Sequence, residues 1–238
     1  MARQFDVSLV NELRDAFAAA ANPEAASAMS AYMRGLFPFA GLQAARRRAL
    51  QAIVFQQFGR PDAEQLELVA AALWALPERE YQYAACDLLR RHSAALHPAH
   101  LPRLRELVTI KSWWDTVDGL ASHVIGQVVR RFPQLGEQMD LWIRDSNLWV
   151  ARVAILHQLQ FKQATNEERL FRYCTIQAGH PDFFIRKAIG WALREYSKTA
   201  PDAVRAFVTE QAEVLSPLSQ REALRYLSRH ERAPQEPA

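Results

Sequence analysis

One acid in the chain lies where a structural role does not explain it. Trp114 and Asp118 are four residues apart in the segment KSWWDTVDGLASHVIGQ, so in a helix they share a face. Asp118 is too far along that segment to cap the helix N-terminus. The spacing leaves two interpretations open: a solvated acid beside a packing indole, or a carboxylate placed to stabilise positive charge.

A second segment alternates aromatic and basic side chains. In PDFFIRKAIGWALREYS, Phe184, Lys187, Trp191 and Arg194 follow one another at helical spacing on a single face. Such a stripe suits a groove that meets a negatively charged polymer with stackable surfaces. The alternative, in which Trp191 belongs to the core and the charges form a solvated edge, stays open at this point.

Other kinds of chemistry find little support in the sequence. The seven His residues show no metal-ligand spacing, and there is no nucleophile elbow and no Gly-rich phosphate loop. We therefore expect no metal and no nucleotide cofactor. Arg152 follows Trp149 by three residues on a similar segment, and the run Arg46-Arg47-Arg48 is interpreted as solvated surface.

The elements that must position these residues are helices. Apolar residues recur at helical spacing almost throughout, and no hairpin pattern is present. Trp114, Trp149 and Phe184 are separated by 35 residues each and begin three similar segments. A two-helix period of this length is typical of HEAT-like repeats. The sequence thus predicts an all-α superhelical solenoid of HEAT-like helical pairs with a concave groove.

Helix starts are marked by their capping residues. Asn22 precedes Pro23 and would cap one helix, while Asn147 and Asp182 would cap two later ones. Ser112 and Asp115 enclose the two indoles of the Trp113-Trp114 pair in a pattern that resembles a capping box.

Composition sets the remaining expectations. The chain has 238 residues, 50% of them hydrophobic, and only two cysteines, which fits a reducing compartment. It contains no apolar run long enough for a membrane span and does not start with a secretory signal, so a cytoplasmic protein is expected. We expect one domain over residues 1–230, a flexible tail over 231–238, and a monomer. The net charge of +3, with 25 of 29 cations Arg, is compatible with an anionic partner.

Four long segments resemble one known family. They are ANPEAASAMSAYMRGLFPFAG at 21–41, KSWWDTVDGLA at 111–121, DSNLWVARVAILHQLQFK at 145–162 and HPDFFIRKAIGWALREYSK at 180–198. On these segments the chain resembles the AlkD family of bacterial DNA glycosylases, which are built from HEAT-like repeats and excise N3- and N7-alkylated purines. The resemblance covers most of the chain.

The resemblance implies a set of site residues. The positions that line the lesion site in the family correspond here to Trp114, Asp118, Arg152 and Trp191. Aromatic positions around the same cleft correspond to Tyr32, Phe183 and Phe184. With the basic residues of the stripe, the expected DNA contacts are Arg152, Tyr32, Phe183, Phe184, Lys187 and Arg194.

The resemblance also implies an activity. The chain would be a monofunctional hydrolase acting on alkylated purines in double-stranded DNA, in base excision repair, without flipping the base. Asp118 would stabilise the cationic sugar and position water, Trp114 and Trp191 would flank that sugar, and Arg152 would hold a phosphate. Two alternatives remain: a non-catalytic HEAT-repeat protein that binds damaged or branched DNA, and a HEAT scaffold that binds proteins.

Overall fold

The computed structural model describes residues 4–231. Within that range the chain is helical and forms no β-strand, which confirms the predicted all-α fold. Its packing divides into two compact units, with the boundary between Leu107 and Val108. The predicted tail at 231–238 lies outside the described residues except for Glu231, which ends the last helix. The single domain over 1–230 stays a prediction.

The first unit contains five α-helices and two short 3₁₀ turns. A sixth helix runs across the unit boundary. The helices are α1 (Ser8–Ala19), α2 (Pro23–Tyr32), α3 (Ala44–Phe55), α4 (Ala63–Ala75), α5 (Arg79–Arg91) and α6 (Leu101–Thr109). The 3₁₀ turns are Ser93–Ala95 and Pro98–His100. Asn22 caps α2 as predicted, because its side chain accepts a hydrogen bond from the amide of Ala25.

A buried carboxylate fixes the long turn that follows α2. Glu80 is fully buried, and its two oxygens accept hydrogen bonds from the amides of Ala40, Gly41 and Leu42 at 2.9–3.0 Å. Gly41 has φ of 84°, and a Cβ there would lie 2.0 Å from the carbonyl oxygen of Asn22. The turn therefore requires glycine at this position on both conformational and steric grounds.

The second unit carries the repeat that the 35-residue spacing predicts. Its helices are α7 (Trp114–Gly119), α8 (Gly126–Arg131), α9 (Gly136–Trp142), α10 (Leu148–Leu156), α11 (Glu167–Ile176), α12 (Phe183–Tyr196), α13 (Pro201–Glu210) and α14 (Pro217–Glu231). A π-helical segment, Leu120–Ile125, joins α7 to α8 without a break, and 3₁₀ turns occupy Pro133–Leu135 and Lys162–Ala164. Helices α7, α10 and α12 thus begin at or next to Trp114, Trp149 and Phe184.

Two predicted caps of this repeat are confirmed and one is wrong. The side chains of Asn147 and Asp182 accept hydrogen bonds from the amides at the starts of α10 and α12. The capping box proposed for Ser112 is absent. Its hydroxyl instead donates to the carbonyl of Val108, and Asp115 accepts from the amide of Thr116, its immediate neighbour. Ser112 is drawn back to the end of α6 and leaves α7 without a side-chain cap.

Two glycines allow the helices of the second unit to approach closely. A Cβ on Gly126 would lie 2.1 Å from the carbonyl oxygen of His157, at the end of α10. A Cβ on Gly190 of α12 would lie 2.5 Å from the Cβ of Glu222 on α14. The other buried residues of α12 are all apolar: Ile185, Ala188, Ile189, Ala192 and Leu193. Glycine is needed at both positions because backbone or Cβ atoms occupy the space.

Candidate active site

Asp118 and Arg152 form an ion pair between two neighbouring repeats. Arg152 donates from Nε to Oδ1 of Asp118 at 2.7 Å and from Nη2 to Oδ2 at 2.8 Å. The Asp118 side chain retains 19% of its exposure, whereas that of Arg152 retains 1%. A guanidinium that binds both oxygens of a carboxylate fixes its plane as well as its position. Asp118 is therefore held in one orientation with an edge open to solvent.

The backbone at Asp118 has its own constraint. The residue lies at the end of α7, and the π-helical segment starts two residues later, at Leu120. Ser122 donates from its hydroxyl to the carbonyl of Asp118 at 2.8 Å. Single π-helical turns inside α-helices occur frequently at functional sites, since they alter the direction of side chains on the adjoining turn.

Burial and the ion pair with Arg152 shift the pKa of Asp118 in opposite directions. Burial raises the pKa of the Asp118 carboxyl, and the hydrogen bonds and charge of Arg152 offset only part of that rise. Without the guanidinium the carboxyl would be harder still to ionise. Arg152 therefore favours the carboxylate form of a half-buried acid.

The position of Arg152 gives it a second role beside the phosphate contact expected for it. Besides Asp118, its Nη1 donates to the carbonyl of Phe184, at the start of α12. Its Cζ lies 5.5 Å from the ring centroid of Trp191. Its contact with a phosphate stays a prediction. The guanidinium has all three nitrogens engaged and almost no exposure. It connects α7, α10 and α12 and acts as a positioning residue for Asp118.

The two indoles expected beside the acid are both partly exposed. Trp114 is the first residue of α7 and lies one turn before Asp118. Trp191 belongs to α12, and its ring faces the guanidinium that holds Asp118. Neither indole belongs to the buried core. The second unit therefore places one indole on the helix that carries Asp118 and another against Arg152, the partner of Asp118.

An aromatic cluster that the sequence analysis missed packs beside this pair. Trp113 lies 5.7 Å from Trp149 and 4.9 Å from Phe184, measured between ring centroids, and Trp149 lies 5.1 Å from Phe184. Phe183 contacts Phe184 at 5.4 Å and is 55% exposed. Phe184 thus serves the site through packing and its carbonyl, whereas Phe183 presents an aromatic ring to solvent. Alignment of the three segments at Trp149 and Phe184 could have suggested the cluster.

The two cations of the stripe share one buried acid. Lys187 donates to Oε1 of Glu222 at 2.7 Å and Arg194 to Oε2 at 3.0 Å. Burial alone would raise the pKa of Glu222, but the charges of Lys187 and Arg194 outweigh it and hold that pKa below its ordinary value. These cations, expected to contact DNA, retain 24% and 29% of their side-chain exposure. Their charge is only partly available at the surface.

A signal for both ion pairs was present in the sequence. Asp118, Arg152, Lys187 and Glu222 are separated by 34, 35 and 35 residues. Residues one repeat apart lie on adjacent helices, so opposite charges at this interval predict pairing between repeats. Glu222 is the site residue that this spacing would have added.

Tyr32 lies in the first unit, at the end of α2. It is 73% exposed, and Arg34 and Gly35 follow it with φ of 58° and 71°. Its aromatic ring is therefore available to a partner, and its role in binding DNA stays a prediction.

Comparisons with known proteins decide the family. The model of the DNA alkylation repair enzyme family matches residues 13–227. The chain belongs to this family. A structure described as a predicted DNA alkylation repair enzyme from Enterococcus faecalis is 37% identical, with a TM-score of 0.81, over 87% of this chain and 97% of that one. The structure of smu.31 from Streptococcus mutans UA159 is 20% identical, with a TM-score of 0.56, over 73% of this chain and 89% of that one, and shows a shared fold.

The family supports a role in DNA repair, with DNA as the partner. No curated protein matches the chain. Within residues 4–231, no three His, Cys, Asp or Glu side chains come together as metal ligands, and no helix there has the length and apolar character of a membrane span.

Proposed function

We propose that this family member is a DNA glycosylase that hydrolyses the N-glycosidic bond of N3- and N7-alkylated purines in duplex DNA. One observation carries the proposal. A half-buried carboxylate, Asp118, is oriented by the buried guanidinium of Arg152, with Trp114 and Trp191 on the adjoining helix surfaces. Asp115, three residues earlier on α7, adds a like charge that helps to raise the pKa of Asp118, and we assign it no role in the reaction.

A single acid is enough for this class of substrate. Alkylation at N3 or N7 makes the purine cationic, so the base leaves as a neutral molecule and needs no general acid. The remaining requirement is to stabilise a deoxyribose with oxocarbenium character and to guide water to it. The oriented carboxylate of Asp118 supplies the negative charge, and its free lone pairs accept a hydrogen bond from that water.

The indoles would contribute through their ring faces. The face of an aromatic ring is negative, and an indole near a developing cation stabilises it by about 0.5–2 kcal/mol. Trp114 and Trp191 would flank the sugar in this way. Because the chemistry needs only the sugar to be gripped, the base can stay in the stack, and selectivity would then come from the lability of the cationic nucleotide.

One observation favours a second candidate, a non-catalytic protein that binds damaged or branched DNA. Both oxygens of Asp118 accept hydrogen bonds from Arg152, which weakens the carboxylate as a base and cancels part of its charge. This candidate predicts salt-sensitive DNA binding without release of any base.

The two candidates differ in one product. Duplex DNA treated with a methylating agent is incubated with the protein, and released 3-methyladenine and 7-methylguanine are measured by mass spectrometry. The glycosylase releases these free bases above the level of spontaneous depurination, and binding without release would establish the second candidate. Asp118→Asn serves as the control for a contaminating enzyme.

A further inference from the structure

A basic cavity lies between α12 and α14, beyond the ion pairs of Glu222. Its volume is about 420 Å³, and its lining includes Arg194, Lys198, Arg225 and Arg229, with Tyr226 and the acid Glu195. Nζ of Lys198 lies 5.9 Å from the ring centroid of Tyr226. Four cations around one opening make an unusual concentration of positive charge.

The local charge is large compared with that of the chain. The cavity and the ion pairs beneath it contain five cations, counting Lys187, against the two acids Glu195 and Glu222, which leaves a formal charge of +3. The whole chain also carries +3. Residues 108–238 contain 17 Lys and Arg against 15 Asp and Glu, a net charge of +2, so the rest of the second unit carries −1. This cluster would therefore dominate the attraction of a polyanion to the second unit.

The acid beneath the cavity limits how much of that charge reaches solvent. The Glu222 side chain is 9% exposed and binds Lys187 and Arg194, with Arg225 at 3.8 Å from Oε1. Its place under the cations depends on Gly190, because any larger residue there would push α14 away. Arg229 is exposed and would meet an incoming anion first.

The cavity is close to the proposed lesion site along α12. Arg194 follows Trp191 by three residues on the same face of α12, which at 1.5 Å per residue is about 4–5 Å along the helix axis. Lys198 lies in the turn after the helix ends at Tyr196. One strand of DNA advances by about 3.4 Å per nucleotide, so the Arg194 side of the cavity is roughly one nucleotide from a sugar at Trp191.

We propose that this cavity binds a phosphodiester of the DNA backbone beside the lesion, and that Glu222 sets how much of its positive charge is available to DNA. The proposal rests on the proposed function for the location of the lesion, but binding itself does not require catalysis. Arg225 and Arg229 are the principal phosphate ligands. Glu222 acts as an internal counter-ion that holds Lys187 and Arg194 in place and weakens their pull on DNA.

The test measures the binding of an unmodified short duplex at several salt concentrations. The double substitution Arg225→Ala/Arg229→Ala should lower the slope of log K against log salt by about 2, and weaken binding about tenfold at low salt. Arg205→Ala, which removes one cation from α13, should leave both values unchanged. If the double variant and this control bind alike, there is no phosphate site in the cavity.

Glu222→Gln tests the proposal that Glu222 limits the positive charge available to DNA, and this variant should bind DNA more tightly. Removing the internal counter-ion should tighten DNA binding about threefold and steepen the salt dependence by about 1. Unchanged or weaker binding by this variant, with its fold retained by circular dichroism, would overturn the role of Glu222.

The proposed function can fail separately. If the wild-type protein releases no base while Arg225→Ala/Arg229→Ala still loses affinity for DNA, the glycosylase proposal is wrong and the proposed phosphate site is supported. If the wild type does not bind duplex DNA at all, both fall.

Discussion

Each unit contains a buried arginine that lies over an aromatic ring and pairs with an aspartate, but the two pairs are built differently. In the first unit, Arg47 donates to Oδ2 of Asp87 at 2.8 Å, and its Cζ lies 5.2 Å from the ring centroid of Tyr83. In the second unit, Arg152 binds both oxygens of Asp118 and faces Trp191.

The difference lies in how the carboxylate is held. Arg47 also donates to Gln51, whose amide in turn donates to the same Oδ2 of Asp87 at 3.2 Å. Among the described residues, the bonds to Asp87 all fall on that one oxygen, and its side chain is 29% exposed. Asp118 is held through both oxygens and is 19% exposed. The Asp87 carboxylate is held at one oxygen only, whereas the Asp118 carboxylate is held at both and is fixed in a plane.

This comparison distinguishes a structural ion pair from a site. Buried pairs of this kind stabilise little by themselves, because desolvation offsets their attraction. What the second unit adds is a defined orientation for a carboxylate that is 19% exposed, with Trp114 on its own helix and Trp191 over its arginine. We attribute structure to the Arg47 pair and chemistry to the Arg152 pair.

The largest effect should come from removing each acid in turn. Asp118→Asn should lower the rate of base release by about 10²–10³-fold, the usual cost of losing one preorganised electrostatic group. Asp87→Asn should leave that rate unchanged. The measurement is single-turnover release of 7-methylguanine with protein in excess over DNA. Equal losses in the two variants would end the distinction between the pairs.

Removal of each arginine should affect stability unequally. Arg152→Gln leaves Asp118 half-buried without its partner and should cost about 3 kcal/mol in the free energy of unfolding. Arg47→Gln should cost less, because Asp87 is more exposed and keeps the amide of Gln51. Urea unfolding followed by circular dichroism checks both. A larger loss for Arg47→Gln would contradict the structural ranking.

The pH dependence of base release should follow Asp118. Because burial raises the pKa of this carboxyl and the carboxylate is the active form, the rate should fall as the pH drops through a value above that of an ordinary Asp, by about tenfold per pH unit. Arg152→Lys should move this acidic limb to higher pH, and Asp87→Asn should not move it. A limb unaffected by Arg152→Lys would remove the arginine from control of the acid.

Acid unfolding must be followed in parallel, because His157 is buried without charge. Burial lowers the pKa of His157 to about 4, below its ordinary value of 6.5. A depressed pKa means that its stabilising contribution is complete above 6.5 and is lost as the pH falls towards 4. Circular dichroism over this range separates loss of fold from loss of catalysis.

The smallest effect on base release should come from removing the aromatic ring over each arginine. Trp191→Leu removes one indole face and should slow base release by about 2–30-fold, the equivalent of about 0.5–2 kcal/mol. Tyr83→Leu, the matched change over Arg47, should leave base release unchanged. The same single-turnover assay measures both, and an equal response would show that the ring over Arg152 has no special part.

The sequence predicted the framework of the site better than its connections. Helical spacing and the capping residues Asn147 and Asp182 placed the repeats correctly, because local backbone preferences decide where a helix starts. The interpretation of Arg47 as solvated surface was wrong, because its side chain is buried and pairs with Asp87, 40 residues away. The pairing of Arg152 with Asp118 was missed because the sequence analysis considered each helix face by itself and did not compare charges one repeat apart.

The end of α10 is another feature that the sequence did not predict. The segment quoted above runs from 145 to 162, but α10 stops at Leu156 and Lys162, with φ of 51°, starts a separate 3₁₀ turn. Packing between repeats decides such endings, including the approach of His157 to Gly126, and no local pattern encodes it.

The rate of base release by the wild-type protein, compared with spontaneous loss from the same methylated duplex, tests the central claim most directly. With protein in excess, we predict that free 7-methylguanine appears far faster than in DNA alone, and that Asp118→Asn removes most of that acceleration while still binding the duplex. Wild-type protein that binds the duplex but releases the base no faster than DNA alone would contradict the account.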